Sequence, residues 1–126
     1  MLAAEGAAQV VDDRGDLPVK IRETQGPGDA RLKYQKEILE VCEALRERVA
    51  EALEAESLPV VLGGDHSVAM GTIAGLARHL HRRKEKLGLV WFDAHADANT
   101  AETSPTGNIH GMPLAAALGL GAPSLV

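Results

Sequence analysis

The chain has 126 residues, 45% of them hydrophobic and 25% charged, with 13 Lys and Arg against 18 Asp and Glu for a net charge of −5. That length and balance fit one globular domain with a core of its own, and they leave no basic footprint for nucleic acid or an anionic membrane; an aromatic content of 2% removes base-stacking platforms as well. A single cysteine, no n-region and h-region at the N-terminus, and no apolar run near the roughly 20 residues that span a bilayer point to a reducing, cytoplasmic setting.

In chain order, Gln9-Val10-Val11 predicts a short strand, and Leu17-Pro18-Val19 an extended piece after a polar turn. Gln25-Gly26-Pro27-Gly28-Asp29 is a breaker cluster. Asp29 is expected to cap a long amphipathic helix whose buried stripe is Leu32, Ile38, Cys42, Leu45, Val49 and Leu53. Cys42 sits in that stripe as a small buried hydrophobe. Leu58-Pro59-Val60-Val61-Leu62 is a short continuous apolar run, the pattern of a parallel strand covered on both faces. After Gly63-Gly64, Ser67 is expected to cap a second helix carrying Val68, Met70, Ile73, Leu76, Ala77 and Leu80. The basic run from Arg78 to Lys86 closes that helix, where cations suit the dipole. Leu87-Gly88-Leu89-Val90-Trp91-Phe92 is the next apolar strand, followed by a polar loop from Asp97 to Gly111 and a short helix after Pro113. The alternation predicts an α/β fold with a parallel sheet and right-handed crossovers. In such sheets ligands collect beyond the carboxyl ends of the strands, where the polar motifs lie.

Three polar clusters carry chemistry. In Asp93-Ala94-His95-Ala96-Asp97 an extended chain would project Asp93, His95 and Asp97 to one side, leaving the small alanines on the other. Imidazole and carboxylate together suit Mn, Fe, Co, Ni or Zn better than Ca or Mg; the alternative is a solvated acidic turn. Gly63-Gly64-Asp65-His66-Ser67 follows the other apolar run and brings His66 to the same sheet edge, completing a candidate cage of His66, Asp93, His95 and Asp97. Asp65 would hold either an imidazole or the turn backbone, or simply cap the helix. Ser104-Pro105-Thr106-Gly107-Asn108-Ile109-His110-Gly111 carries His110, a candidate proton shuttle or else a structural loop histidine. Asn99, Thr106 and Asn108 offer uncharged donors and acceptors suited to a polar substrate tail.

Together, Gly63-Gly64-Asp65-His66-Ser67, Asp93-Ala94-His95-Ala96-Asp97, Asn99-Thr100 and Gly107-Asn108-Ile109-His110-Gly111 resemble the ureohydrolase family, in its arginase branch. The resemblance implies a binuclear manganese site, with Co²⁺ or other divalent ions as substitutes, that hydrolyses L-arginine to L-ornithine and urea. By position it makes His66, Asp93, His95 and Asp97 metal ligands, with Asp93 bridging the ions, and His110 the proton shuttle. It makes Asn99 and Thr106 contacts to the substrate α-carboxylate, with Asn108 near the same end. It further implies a homo-oligomer, trimer or hexamer, with no nucleic-acid or membrane partner. The resemblance also implies a three-layer αβα architecture around the parallel sheet; against the family pattern, residues 1–126 read as part of a single ureohydrolase domain incomplete at both ends, with the usual first strand and the C-terminal half missing. An agmatinase, a guanidino-acid hydrolase and a non-catalytic metal-binding fragment are the alternative readings.

Overall fold

The structure, a computed structural model, describes residues 11–126. Gln9 and Val10 of the expected first strand lie outside the described residues, and Val11 carries no regular structure. Residues 17–19 are likewise irregular. The elements are a 3₁₀ turn at Arg22–Thr24, β1 (Gly28–Asp29), β2 (Leu32–Lys33), α1 (Gln35–Glu54), α2 (Val68–Arg82), a 3₁₀ turn at Ile109–Gly111 and α3 (Pro113–Ala117).

The long helix forms as its periodicity predicts, but it starts later, and Asp29 does not cap it. Asp29 belongs to β1, which pairs antiparallel with β2, Gly28 opposite Lys33 and Asp29 opposite Leu32. Its Oδ1 accepts the Arg31 backbone N–H at 2.7 Å, so the carboxylate closes the hairpin turn instead. Leu32 therefore leaves the helical stripe for β2, and α1 begins after Tyr34, a residue in the left-handed region with φ 57°.

The α1 and α2 helices pack face to face. Cys42, Leu45, Val49 and Ala50 are the buried residues of α1; Met70, Gly71 and Gly75 are those of α2. The glycines set how close the axes come. A Cβ on Gly71 would sit 2.7 Å from the Cys42 carbonyl oxygen, and one on Gly75 would sit 2.7 Å from Val49 Cβ. Arg78 and Arg82 of the basic run reach back across this seam to Glu47 at 2.5 Å and Glu54 at 3.0 Å. These pairs are exposed, so solvent screening leaves each a weak contribution. The central cluster joins Cys42 and Met70 to Ile109, Met112 and Ala116, so the same core that holds the helix pair also anchors the 3₁₀ turn and α3. The Cys42 thiol donates to the Ser67 carbonyl at 3.4 Å, and burial pushes its pKa up, keeping it protonated and unreactive at neutral pH.

The parallel sheet does not appear among the described residues, whose only sheet is the β1–β2 hairpin. Residues 58–62 and 87–92 make no backbone ladder there, and Val90 and Phe92 are 92% and 101% exposed. The physical reason is that a parallel strand is stable only between neighbours with both faces covered, and these two runs pair neither with each other nor with another described segment. Unpaired apolar edges template association. The 126-residue chain is therefore expected to enhance the emission of 8-anilinonaphthalene-1-sulfonate and to sediment as a concentration-dependent mixture. A monodisperse monomer without dye enhancement would contradict this exposure. No described helix is long and apolar enough to cross a membrane.

Candidate metal centre

Each polar cluster is held by its own backbone. In the glycine turn, Asp65 Oδ1 accepts both the Ser67 N–H, at 2.9 Å, and the Ser67 hydroxyl, at 2.5 Å. Ser67 stands at the start of α2, as expected, but makes no side-chain cap bond there; its hydroxyl is spent on Asp65. Asp65 thus holds the turn backbone rather than an imidazole, and it fixes the residue between them, His66. After the second apolar run, Asp93 Oδ1 accepts the His95 N–H at 2.9 Å, a tight turn that aims the other carboxylate oxygen away. Asp97 sits in the left-handed region with φ 47°. The simple alternation expected of an extended chain therefore breaks at Asp97. Its carbonyl accepts the Leu114 and Ala115 N–H groups at 3.0 and 3.4 Å, tying the aspartate to the first turn of α3.

These three anchors converge. His66 Nδ1 lies 2.6 Å from Asp93 Oδ2 and 2.8 Å from Asp97 Oδ2. One donor atom from each of His66, Asp93 and Asp97 falls within 4.8 Å of the others. A ring nitrogen carries at most one proton, so it can satisfy one carboxylate oxygen fully and leaves the second short of a cation. Even with the imidazole protonated, two carboxylates leave the group at net −1. A divalent ion would neutralise it, and a mixed N and O donor set suits a transition metal. The residues present therefore fit a divalent metal. The His95 backbone N–H, with the His66 and His95 side chains, holds the Asp93 carboxyl below its ordinary range, so it is ready as an anionic ligand.

The group opens onto a cleft of about 450 Å³ that also exposes His95, Asn99 and His110. His95 stands apart from the three-donor group: its side chain is 82% exposed and its Nδ1 faces Asp93 Oδ1 at 3.2 Å. Asn99 lines the cleft, its backbone N–H bonded to the Gly111 carbonyl at 3.1 Å and its Oδ1 accepting the Thr103 hydroxyl at 3.2 Å. His110 is exposed on the cleft wall. Thr106 and Asn108 do not line the cleft; the Thr106 hydroxyl accepts the Asn108 N–H at 3.2 Å, and Asn108 bridges to Lys33. One side chain at the centre escaped the sequence reading. Trp91 stacks on His66 with ring centroids 4.4 Å apart. The available signal was parity, since Trp91 shares the alternation of Asp93 while Val90 and Phe92 do not.

Residues 3–124 match the family described as the arginase family. The chain is 51% identical over 116 residues to the arginase of Bacillus caldovelox, covering 91% of this chain and 38% of that protein. It is 48% identical to the arginase of Bacillus subtilis strain 168, covering 92% and 37%. Among solved structures, the native Bacillus caldovelox arginase superposes with a TM-score of 0.81 at 52% identity, covering 90% of this chain and 37% of that one. The Entamoeba histolytica arginase in complex with L-ornithine superposes with a TM-score of 0.72 at 44% identity, covering 82% and 35%. The chain thus spans little more than a third of the length of these relatives. Because the match runs through nearly every described residue, helices, turns and acidic cleft alike, this chain belongs to the arginase family.

Proposed function

We propose that the chain forms one metal-binding wall of a manganese-dependent hydrolase that converts L-arginine to L-ornithine and urea. The observation that carries this reading is the convergence of His66 Nδ1, Asp93 Oδ2 and Asp97 Oδ2 at the mouth of a cleft that also holds His95, Asn99 and His110. His66, Asp93 and Asp97 would hold one ion. His95, with the Asp93 oxygen that faces it, would serve a second ion. When bound, a metal pair supplies Lewis-acid charge that activates water at neutral pH and offsets charge developing at the guanidinium carbon. Asp93 and Asp97 contribute the anionic charge that offsets the metal pair. His110, exposed on the wall, exchanges a proton with the departing amine. Asn99 holds the polar α-amino-acid end, with Thr106 and Asn108 supporting the loop behind it. The same reading makes 58–62 and 87–92 parallel strands of an αβα sheet within a single ureohydrolase domain, and the protein a cytoplasmic homo-oligomer.

The test replaces the matched segment of the Bacillus caldovelox arginase by this chain and measures urea release with Mn²⁺. The chimera is expected to hydrolyse L-arginine in preference to agmatine, and His110→Ala in it to lower turnover by about 10²–10⁴-fold with metal content unchanged. A folded, metal-loaded chimera that cleaves agmatine instead would overturn the substrate, and one that cleaves neither would overturn the catalytic reading. The 126-residue chain by itself is expected to release no urea, because only one three-donor group converges among the described residues.

A further inference from the structure

We propose that Trp91 is a positioning residue of the metal centre: its indole face holds the His66 imidazole in the plane that presents Nδ1 between Asp93 and Asp97. The inference rests on the metal reading of that centre and adds a residue to it. The two rings are stacked, with centroids 4.4 Å apart and planes 24° from parallel. Trp91 behaves unlike its neighbours. Val90 and Phe92 stand in solvent, whereas the indole turns in, and its Nε1 is fully shielded with no hydrogen-bond partner. A shielded, unpartnered N–H is unfavourable, so no polar contact explains the ring's place; its face contact with His66 does.

His66 needs such a restraint. Its side chain is 38% exposed and is not caged by the core. The terminal torsion of histidine is broad and roughly two-fold, so the ring plane is intrinsically soft. The carboxylates select which edge faces them, since only Nδ1 bonds to Asp93 and Asp97. The indole fixes the plane. Once an ion occupies the carboxylates, they no longer grip the imidazole directly, and the stack is the contact that keeps the ring aligned. Groups that orient a ligating histidine typically change metal affinity by about 10–100-fold.

Trp91 is the single tryptophan of the chain, so its emission reports this centre alone. Titration of the 126-residue chain with Mn²⁺ is expected to change Trp91 emission with the midpoint found by calorimetry, and His66→Ala to abolish the change. Trp91→Phe keeps a flat face and loses no hydrogen bond, and is expected to bind within about 3-fold of the parent, whereas Trp91→Leu, apolar but not flat, is expected to bind at least about 10-fold more weakly. The same two substitutions in the chimera, read as metal retained after dialysis, are expected to keep that order and serve where the isolated variant does not stay soluble. Equal affinity of the Leu variant and the parent, equal losses in Phe and Leu, or emission unmoved by saturating metal would each overturn the role of Trp91 while leaving the centre intact. No Mn²⁺ binding by either the parent chain or the chimera would overturn the metal reading itself, and this inference with it.

Discussion

Asp93→Ala is expected to abolish saturable Mn²⁺ binding by this chain, a loss of at least about 100-fold in affinity, beyond the 10–100-fold typical of merely orienting groups. Asp93 is the hub of the centre. Its Oδ2 meets His66 Nδ1 at 2.6 Å, while its Oδ1 accepts the His95 N–H at 2.9 Å and faces His95 Nδ1 at 3.2 Å. Removing it deletes a donor and releases the turn that aims its neighbours. Asp97→Ala and His66→Ala are expected to fall in the same class. His95→Ala is expected to leave the first ion's affinity nearly unchanged, since His95 stands outside the three-donor group. Calorimetry on the four variants checks the ranking, and an Asp93→Ala chain that binds as tightly as the parent would remove Asp93 from the centre. The pH dependence has a definite sign. Metal and protons compete for the Asp93 carboxylate, so affinity falls as the solution is acidified. That carboxyl is held below its ordinary range chiefly by the His95 backbone N–H, so it stays ionised, and the loss it causes sets in only at a pH below the usual carboxylate range.

The largest stability effect is expected at Gly107. Its φ is +68°, and a Cβ there would run into the Ala30 carbonyl oxygen. Two penalties therefore add in Gly107→Ala: about 1–2 kcal/mol for an L-residue in the left-handed region and about 1–3 kcal/mol for forcing backbone apart in a packed contact. Alanine's lower unfolded-state entropy recovers less than 1 kcal/mol. A net loss of about 3 kcal/mol corresponds to a drop of roughly 10 °C in Tm for a chain of this size. The effect reaches the cleft because the Gly107 carbonyl accepts the Lys33 N–H at 3.0 Å and Asn108 bridges to the same residue. That seam fastens the loop carrying His110 to the β1–β2 hairpin. Thermal unfolding followed by circular dichroism checks it; an unchanged Tm would mean that the hairpin and loop part without penalty.

The sequence by itself determined the helices, the family and the identity of the polar clusters. The periodicity of Cys42, Leu45 and Val49, and of the α2 stripe, is a local property, and burial drives such stripes inward wherever the helices land. The glycine turn and the Asp-Ala-His-Ala-Asp string were likewise legible because their residue types are tied to one chemistry and sit next to each other in the chain. Long-range contacts decided the rest. Asp29 reads as a helix cap until β2 pairs with it, because one carboxylate can close a hairpin or cap a helix equally well. Leu58–Leu62 and Leu87–Phe92 read as strands, yet a strand exists only through hydrogen bonds to another segment, and the described residues supply none. Spacing made His95 the equal of Asp93 and Asp97; the left-handed turn at Asp97 and its carbonyl's tie to α3 brought the aspartates together on His66 and left His95 outside. Trp91 looked like one more apolar strand residue, and only the approach of the α2 turn to the 91–97 segment put its face against the imidazole. Periodicity records which residues seek burial, whereas the choice of partner depends on which distant backbone arrives to meet them.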